Sequence, residues 1–138
     1  MSPAPRKRHA LLEHRLARVL GPLADRAHLY GSGIFNLGEP DNFRVADAGF
    51  HRDESDSTYL PTAAVVVEIV SPGDESWEKL SFYAAHGVDE VVVADPSDRS
   101  LVWMEREGEG YRRVERSAQL DIDVADVVAQ IDWPPLGD

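Results

Sequence analysis

The segment AAVVVEIV at residues 63–70 constrains the fold more than any other part of the sequence. It is a continuous run of small and β-branched apolar residues, and Glu68 is its one interruption. Runs of this kind are typical of central strands that are covered on both faces. The segment therefore predicts an α/β domain with a buried central strand, and it puts a carboxylate inside that strand.

Weaker patterns on both sides of this strand predict further helices and strands, separated by turn residues. Helices are expected at residues 9–23, 75–86 and 124–131. The first of them should fray or end at Gly21 and Pro22. Strands are expected at residues 30–37, 43–50 and 91–94, and in a hairpin formed by residues 101–105 and 111–115.

The helix at residues 75–86 has two different faces. The predicted apolar face carries Trp77, Leu80 and Ala84, and the opposite face carries Lys79, Tyr83 and His86. Tyr83 could hold Lys79 in place or simply pack, and the sequence leaves both roles open. Gly87 is expected to end the helix.

Length and residue types limit the class of protein. A chain of 138 residues suits a single domain, residues 1–138. No apolar run reaches the roughly 18–20 residues of a membrane helix. The sequence has no cysteine, which excludes disulfides, thiolate zinc sites and cysteine nucleophiles. We therefore expect a cytoplasmic protein that does not associate with membranes.

Charge is distributed unevenly along the chain. The formal net charge is −11, of which residues 1–20 contribute +4 and the rest of the chain −15. Nonspecific binding to nucleic acid depends on cationic side chains that neutralise phosphates. A nucleic-acid partner would therefore require a bound cation, a local basic face or a partner subunit.

Glu68 is the residue that most suggests chemistry. A carboxylate inside an apolar strand costs several kcal/mol unless it is paired or coordinated. A structural ion pair with Lys79 or an arginine would offset that cost. The alternative is a role as metal ligand or general base in a cleft.

Two further residues favour the functional alternative. Asp47 lies in a neighbouring predicted strand, where an apolar residue would suffice, and Lys79 lies on the helix that follows the Glu68 strand. Carboxylate oxygens suit Mg²⁺, which can lower the pKa of a bound water and offset charge on a phosphate. A lysine can orient that water or stabilise the transition state. The three residues together suggest divalent-metal hydrolysis of a phosphodiester.

Two segments also carry a family resemblance, RVADAGF at residues 44–50 and VVVEIVSPGDESWEKLSFYAAHGVDEVVVADP at residues 65–96. They resemble the Uma-two family, whose members are restriction-endonuclease-like domains of the PD-(D/E)XK nuclease superfamily. The first helix and the hairpin also follow in the expected order. The resemblance implies a mixed central sheet flanked by helices on both sides.

The resemblance also implies roles for individual residues. Asp47 matches the first metal-binding acid of the family, and Glu68 matches the second. In the parent pattern the lysine lies two residues after the second acid, where this chain has Val70. In the Uma-two family the following helix supplies the lysine instead, and that position corresponds to Lys79.

The start of the sequence departs from the family pattern. Relatives usually carry a further acid-bearing strand before the first helix, and we expect this chain to lack that segment. Glu13, with His9 one turn before it, is the candidate for an additional site acid, the alternative being an ordinary exposed helix residue. A sheet edge left open by the missing strand would suit a homodimer.

The function expected from these observations is Mg²⁺- or Mn²⁺-dependent hydrolysis of DNA phosphodiester bonds by an endonuclease. Asp47 and Glu68 would hold the metal, and Lys79 would act on the attacking water. The alternative is a non-catalytic interaction module that retains the nuclease scaffold, which the acidic body of the chain would favour.

Overall fold

The fold is described from a computed structural model, which covers residues 7–71 and 76–136. Its elements, in chain order, are α1 (Lys7–Arg26), β1 (Tyr30–Ser32), β2 (Phe35–Glu39), β3 (Asn42–Ala46), β4 (Ala48–His51), β5 (Tyr59–Leu60), β6 (Val65–Ile69), a 3₁₀ segment (Ser76–Lys79), α2 (Leu80–Ala85), β7 (Glu90–Asp95), β8 (Ser100–Glu107), β9 (Gly110–Val114), β10 (Arg116–Ser117), β11 (Ile122–Asp123) and α3 (Val124–Gln130). Within those ranges, no helix has both the length and the hydropathy needed to cross a bilayer.

A six-stranded mixed sheet forms the centre, with the strand order β1-β4-β6-β7-β8-β9. Strands β6 and β7 run parallel, and the other neighbouring pairs are antiparallel. Every residue of β6 is buried, because its β-branched side chains pack against helices on both faces of the sheet. The predicted buried central strand is confirmed.

Helices cover both faces of this sheet. On one face, Leu12 and Leu16 of α1 and Val127 of α3 share an apolar core with alternate β6 residues. On the other face, Tyr83 of α2 packs in a second core with Val66. The alternation of side chains along β6 thus serves two cores at once. The predicted fold class, a mixed central sheet flanked by helices, is confirmed.

The predicted strand at residues 43–50 is in fact two strands in different sheets. Strand β3 pairs with β2 in a small three-stranded sheet, whereas β4 pairs with β6 in the central sheet. The predicted strand at residues 30–37 divides in the same way, into β1 and β2. Alternation of side chains shows that a segment is extended, but it does not show where the segment changes partner. Asp47 lies at one of these changes.

Helix α1 continues through Pro22 and ends at Arg26, so the predicted end at Gly21 and Pro22 is wrong. Proline removes one backbone donor and crowds the preceding turn, which normally weakens a helix. Leu23 and Ala24 are nevertheless buried against the core. The apolar contacts of the last turn outweigh the local cost of the proline.

The second predicted helix begins as a 3₁₀ segment, and its faces differ from the prediction. Trp77 is 51% exposed, whereas Tyr83 is fully buried. A 3₁₀ segment has three residues per turn, so a period of 3.6 residues assigns its side chains to the wrong faces. The helix ends as predicted before Gly87, which adopts a positive φ of 73°. The predicted start of this helix at Glu75 lies outside the described residues.

Candidate functional site

Glu68 lies near the end of β6, on the face of the sheet that α2 covers. Its side chain is 1% exposed. The Lys79 Nζ atom lies 3.0 Å from Glu68 Oε1, and the Tyr83 hydroxyl donates to the same oxygen over 2.5 Å. One carboxylate oxygen therefore faces both an ammonium group and a phenol, which offsets part of the cost of its burial.

Lys79 joins three elements at this position. It is the last residue of the 3₁₀ segment, and its side chain reaches Glu68 of β6. Its ammonium group also donates to the main-chain carbonyl of Val45 in β3 over 2.8 Å. Its side chain remains 20% exposed. The lysine is thus anchored at a fixed point beside Glu68 and still borders solvent.

Asp47 lies between β3 and β4, at the change of sheet. Its Oδ2 atom accepts the main-chain N–H of Ile69 over 2.8 Å, and its own N–H donates to Glu68 Oε2 over 3.4 Å. The strand break is what brings this carboxylate to the end of β6. The structure therefore brings Asp47, Glu68 and Lys79 together.

Helix α1 approaches the site from the other face of the sheet. His9 is buried and bonds through Nδ1 to Ser71 Oγ over 2.7 Å. Its Nε2 atom lies 3.7 Å from Asp47 Oδ1 and 3.9 Å from Glu13 Oε2. Glu13 therefore borders the site through His9 and Asp47.

The three carboxylates at the site titrate differently. Burial raises the pKa of Glu68 to about 7, and the bonds from Tyr83 and Lys79 oppose this only in part. Burial also pushes the pKa of Asp47 upwards, but the nearby His9 imidazole and the hydrogen bond from the Ile69 amide outweigh it, so that pKa lies below its usual value. Burial and the neighbouring Asp47 raise the pKa of Glu13. Near neutral pH, Asp47 is ionised and Glu68 is close to its midpoint.

The raised pKa of Glu68 predicts a pH-dependent stability for the metal-free protein. The folded-state pKa lies above the unfolded one, so this contribution is complete below about pH 4.5 and is lost as the pH rises through 7. We expect the free energy of unfolding to fall by about 3 kcal/mol from this group between those limits. Urea unfolding in EDTA at several pH values measures it.

Glu68→Gln is the control for that measurement, because glutamine is similar in shape and does not titrate. The difference in unfolding free energy between the two proteins isolates Glu68 from other titrating groups. A difference that stays constant between pH 4.5 and 8 would contradict the prediction.

The donors at the site fit a hard divalent cation. Mg²⁺ is usually held by one or two carboxylates and keeps several waters. Asp47 and Glu68 supply two carboxylates, and the Glu68 oxygen on the Asp47 side, Oε2, is not the one that Lys79 and Tyr83 contact. Within residues 7–71 and 76–136, no ready-made cluster of three or more histidine, cysteine or acidic ligands occurs. The fit is therefore to a two-carboxylate site.

Sequence reasoning missed several contacts of this site. The Tyr83–Glu68 bond, the Val45 carbonyl and the Ile69 amide were not anticipated. A signal existed only for Tyr83, which follows Lys79 by four residues and so shares a helix face with it. Hydrogen bonds to main-chain groups cannot be predicted from a pattern of residue types, because every residue carries the same groups.

Comparison with solved structures defines the class of fold. The chain is similar to a crystal structure described as "a putative nuclease belonging to DUF820" from Anabaena variabilis, with a TM-score of 0.72 and 12% sequence identity. The similarity covers 94% of this chain and 85% of that one. At this identity the match establishes the fold alone, a mixed sheet flanked by helices.

Comparison with family models then identifies the family. The model of the Uma2 family, described as "Putative restriction endonuclease", matches residues 1–133. The chain belongs to the Uma2 family, and the predicted resemblance is confirmed. No curated protein sequence matches the chain.

Proposed function

We propose that this protein is an endonuclease that hydrolyses DNA phosphodiester bonds and depends on Mg²⁺ or Mn²⁺. The observation that supports it most is the junction of Asp47, Glu68 and Lys79, where a lysine lies 3.0 Å from a buried glutamate beside a second acid. A structural ion pair would explain Glu68 and Lys79 alone. It would not explain Asp47, which the strand break places beside them.

Asp47 and Glu68 would hold the metal ion. A divalent ion bound there supplies a Lewis acid that activates water and offsets negative charge on the phosphate. The body of the chain is strongly acidic. A bound cation would offset the negative charge of the two carboxylates where a phosphate must approach. Family membership supports nucleic acid as the substrate, and DNA is our proposal for its type.

Lys79 would act on the reacting groups directly. Its ammonium group is held by Glu68 and by the Val45 carbonyl, while part of the side chain borders solvent. A cation fixed at this point can donate a hydrogen bond to a phosphate oxygen or to the attacking water. Because it is already positioned, little reorganisation would be needed when the substrate binds.

Arg8 is the residue we propose for contact with the substrate backbone. It lines a cavity of about 150 Å³ with Ser71 and Asp95, and Ser71 bonds to His9 at the site. Arg8 belongs to the first part of the chain, where basic residues outnumber acidic ones. A guanidinium group at this border is suited to a phosphate.

Metal titration tests the proposal most directly. We expect saturable binding of Mg²⁺ or Mn²⁺ at millimolar concentration by calorimetry, with a matching rise in Tm, because only the folded protein presents the paired carboxylates. Asp47→Asn combined with Glu68→Gln should remove both effects. Glu105→Gln is the matched control, since Glu105 pairs with Arg112 on the β8–β9 hairpin.

Supercoiled plasmid incubated with the same metals should be nicked or linearised. Wild-type protein that neither binds metal nor cuts plasmid would contradict the proposal and favour the non-catalytic interaction module. A preference for RNA over plasmid would keep the metal site and change the substrate.

The homodimer and the cytoplasmic location stay predictions. One feature supports the first: β1 lies at an edge of the central sheet, and all three of its residues are exposed. An open edge presents main-chain donors and acceptors to another chain.

A further inference from the structure

We propose that Tyr83 is a positioning residue, which fixes the orientation of the Glu68 carboxylate so that Oε2 faces Asp47. This inference rests on the proposed function, because it concerns how the metal site is prepared for its ion. It assigns the tyrosine a task in binding the ion, beyond its place in the core.

The two oxygens of Glu68 have different surroundings. Oε1 accepts the Tyr83 hydroxyl at 2.5 Å and lies 3.0 Å from the Lys79 ammonium group. Oε2 lies on the side of Asp47, whose N–H donates to it over 3.4 Å. The strong donors thus hold one oxygen, and the other is turned towards the second acid.

The tyrosine is itself held firmly. Its side chain is fully buried in the core that contains Leu37, Ala46 and Val66. Its main-chain carbonyl accepts the N–H of Val88 just after the helix end. Because the ring cannot move without opening this core, the hydroxyl occupies a defined point.

Lysine alone would orient the carboxylate less well. The terminal torsion of a glutamate is broad, so either oxygen can face a single cation. The Lys79 ammonium group is held at a fixed point, but a single cation does not distinguish one oxygen of the carboxylate from the other. A rigid phenol in the core removes this ambiguity. Residues that orient a metal ligand in this way typically change metal affinity by about 10–100-fold when they are replaced.

The test compares Tyr83→Phe with Tyr111→Phe. Tyr111 lies on β9, and its hydroxyl donates to the main-chain carbonyl of Val88 over 2.8 Å. The control variant therefore loses a similar hydrogen bond away from the site. We expect Tyr83→Phe to weaken Mg²⁺ and Mn²⁺ binding by about 10-fold in calorimetry. Tyr111→Phe should bind both metals as the wild type does.

Unchanged metal affinity in folded Tyr83→Phe would overturn the inference and leave the proposed function intact. A lower Tm with unchanged metal affinity would show that the role of Tyr83 is purely structural. If the wild type binds no metal, the proposed function fails and the inference fails with it. The two failures are therefore distinguishable.

A second measurement applies if Tyr83→Phe does not fold. Wild-type protein labelled with 3-fluorotyrosine has four tyrosines, and phenylalanine variants of the other three assign the Tyr83 fluorine signal by exclusion. We expect this signal to shift with added Mg²⁺ along the calorimetric binding curve. A signal that stays in place at saturating metal would overturn the inference.

Discussion

Glu68→Gln is expected to reduce metal-dependent plasmid cleavage by at least about 10³-fold while the fold is retained. Glutamine has nearly the same shape, so the packing around β6 should persist. It lacks the charge that would hold the metal ion and that now faces Lys79 at 3.0 Å. Cleavage rates at saturating Mg²⁺, with circular dichroism to confirm folding, measure the effect.

Lys79→Met should reduce metal-dependent plasmid cleavage by a similar factor for a different reason. Methionine keeps much of the apolar stem and removes the ammonium group, so metal binding should survive while cleavage is lost. The sequence contains one other lysine, Lys7, and Lys7→Met is therefore a matched control that should cut normally. Normal cleavage by both Glu68→Gln and Lys79→Met would exclude this site as the catalytic centre.

Glu90→Ala is expected to cost about 4 kcal/mol of unfolding free energy, since each buried donor left unsatisfied costs about 1–3 kcal/mol. Glu90 Oε1 accepts the Trp103 indole N–H and the Ser117 hydroxyl, and Oε2 accepts the main-chain N–H of Gln119. The carboxylate is 1% exposed. Alanine would leave these donors inside the protein without an acceptor.

Chemical denaturation measures this cost, and Glu105→Ala is the control. Glu105 lies directly opposite Glu90 in the β7–β8 ladder, but it pairs with Arg112 near the surface, so its loss should have a small effect. Metal binding should persist in Glu90→Ala where the protein is folded, because Glu90 lies opposite Val65, about 10 Å along the strand from Glu68. Equal destabilisation by the two variants would contradict the prediction.

The two buried acids show how far a residue pattern can be interpreted. Glu68 interrupts a long apolar run, so its burial was predicted. Glu90 stands at the start of a strand, next to the polar Asp89, and nothing in the pattern marks it as buried. Its burial depends on Trp103, Ser117 and Gln119, which are 13 to 29 residues away.

The helix between β6 and β7 shows a related limit. Lys79 was expected on the face opposite Trp77, and the structure does place its ammonium group beside Glu68. The buried aromatic residue, however, is Tyr83 and not Trp77. Six residues of α-helix after a 3₁₀ segment contain too few turns for a period to define the buried face.

The sequence by itself determined the central strand, the sheet flanked by helices, the glycine that ends α2 and the three residues of the candidate site. The central strand, the glycine and the candidate residues follow from local properties, namely β-branched runs, turn residues and the cost of a carboxylate in an apolar strand. The sheet flanked by helices follows from the resemblance to the Uma-two family. Only the tertiary structure decided that Asp47 lies where the chain changes sheets, that α1 continues through Pro22, and which atoms contact each oxygen of Glu68 and Glu90. Those features depend on strand partners, apolar contacts and hydrogen bonds between residues far apart in the chain, which no local pattern encodes.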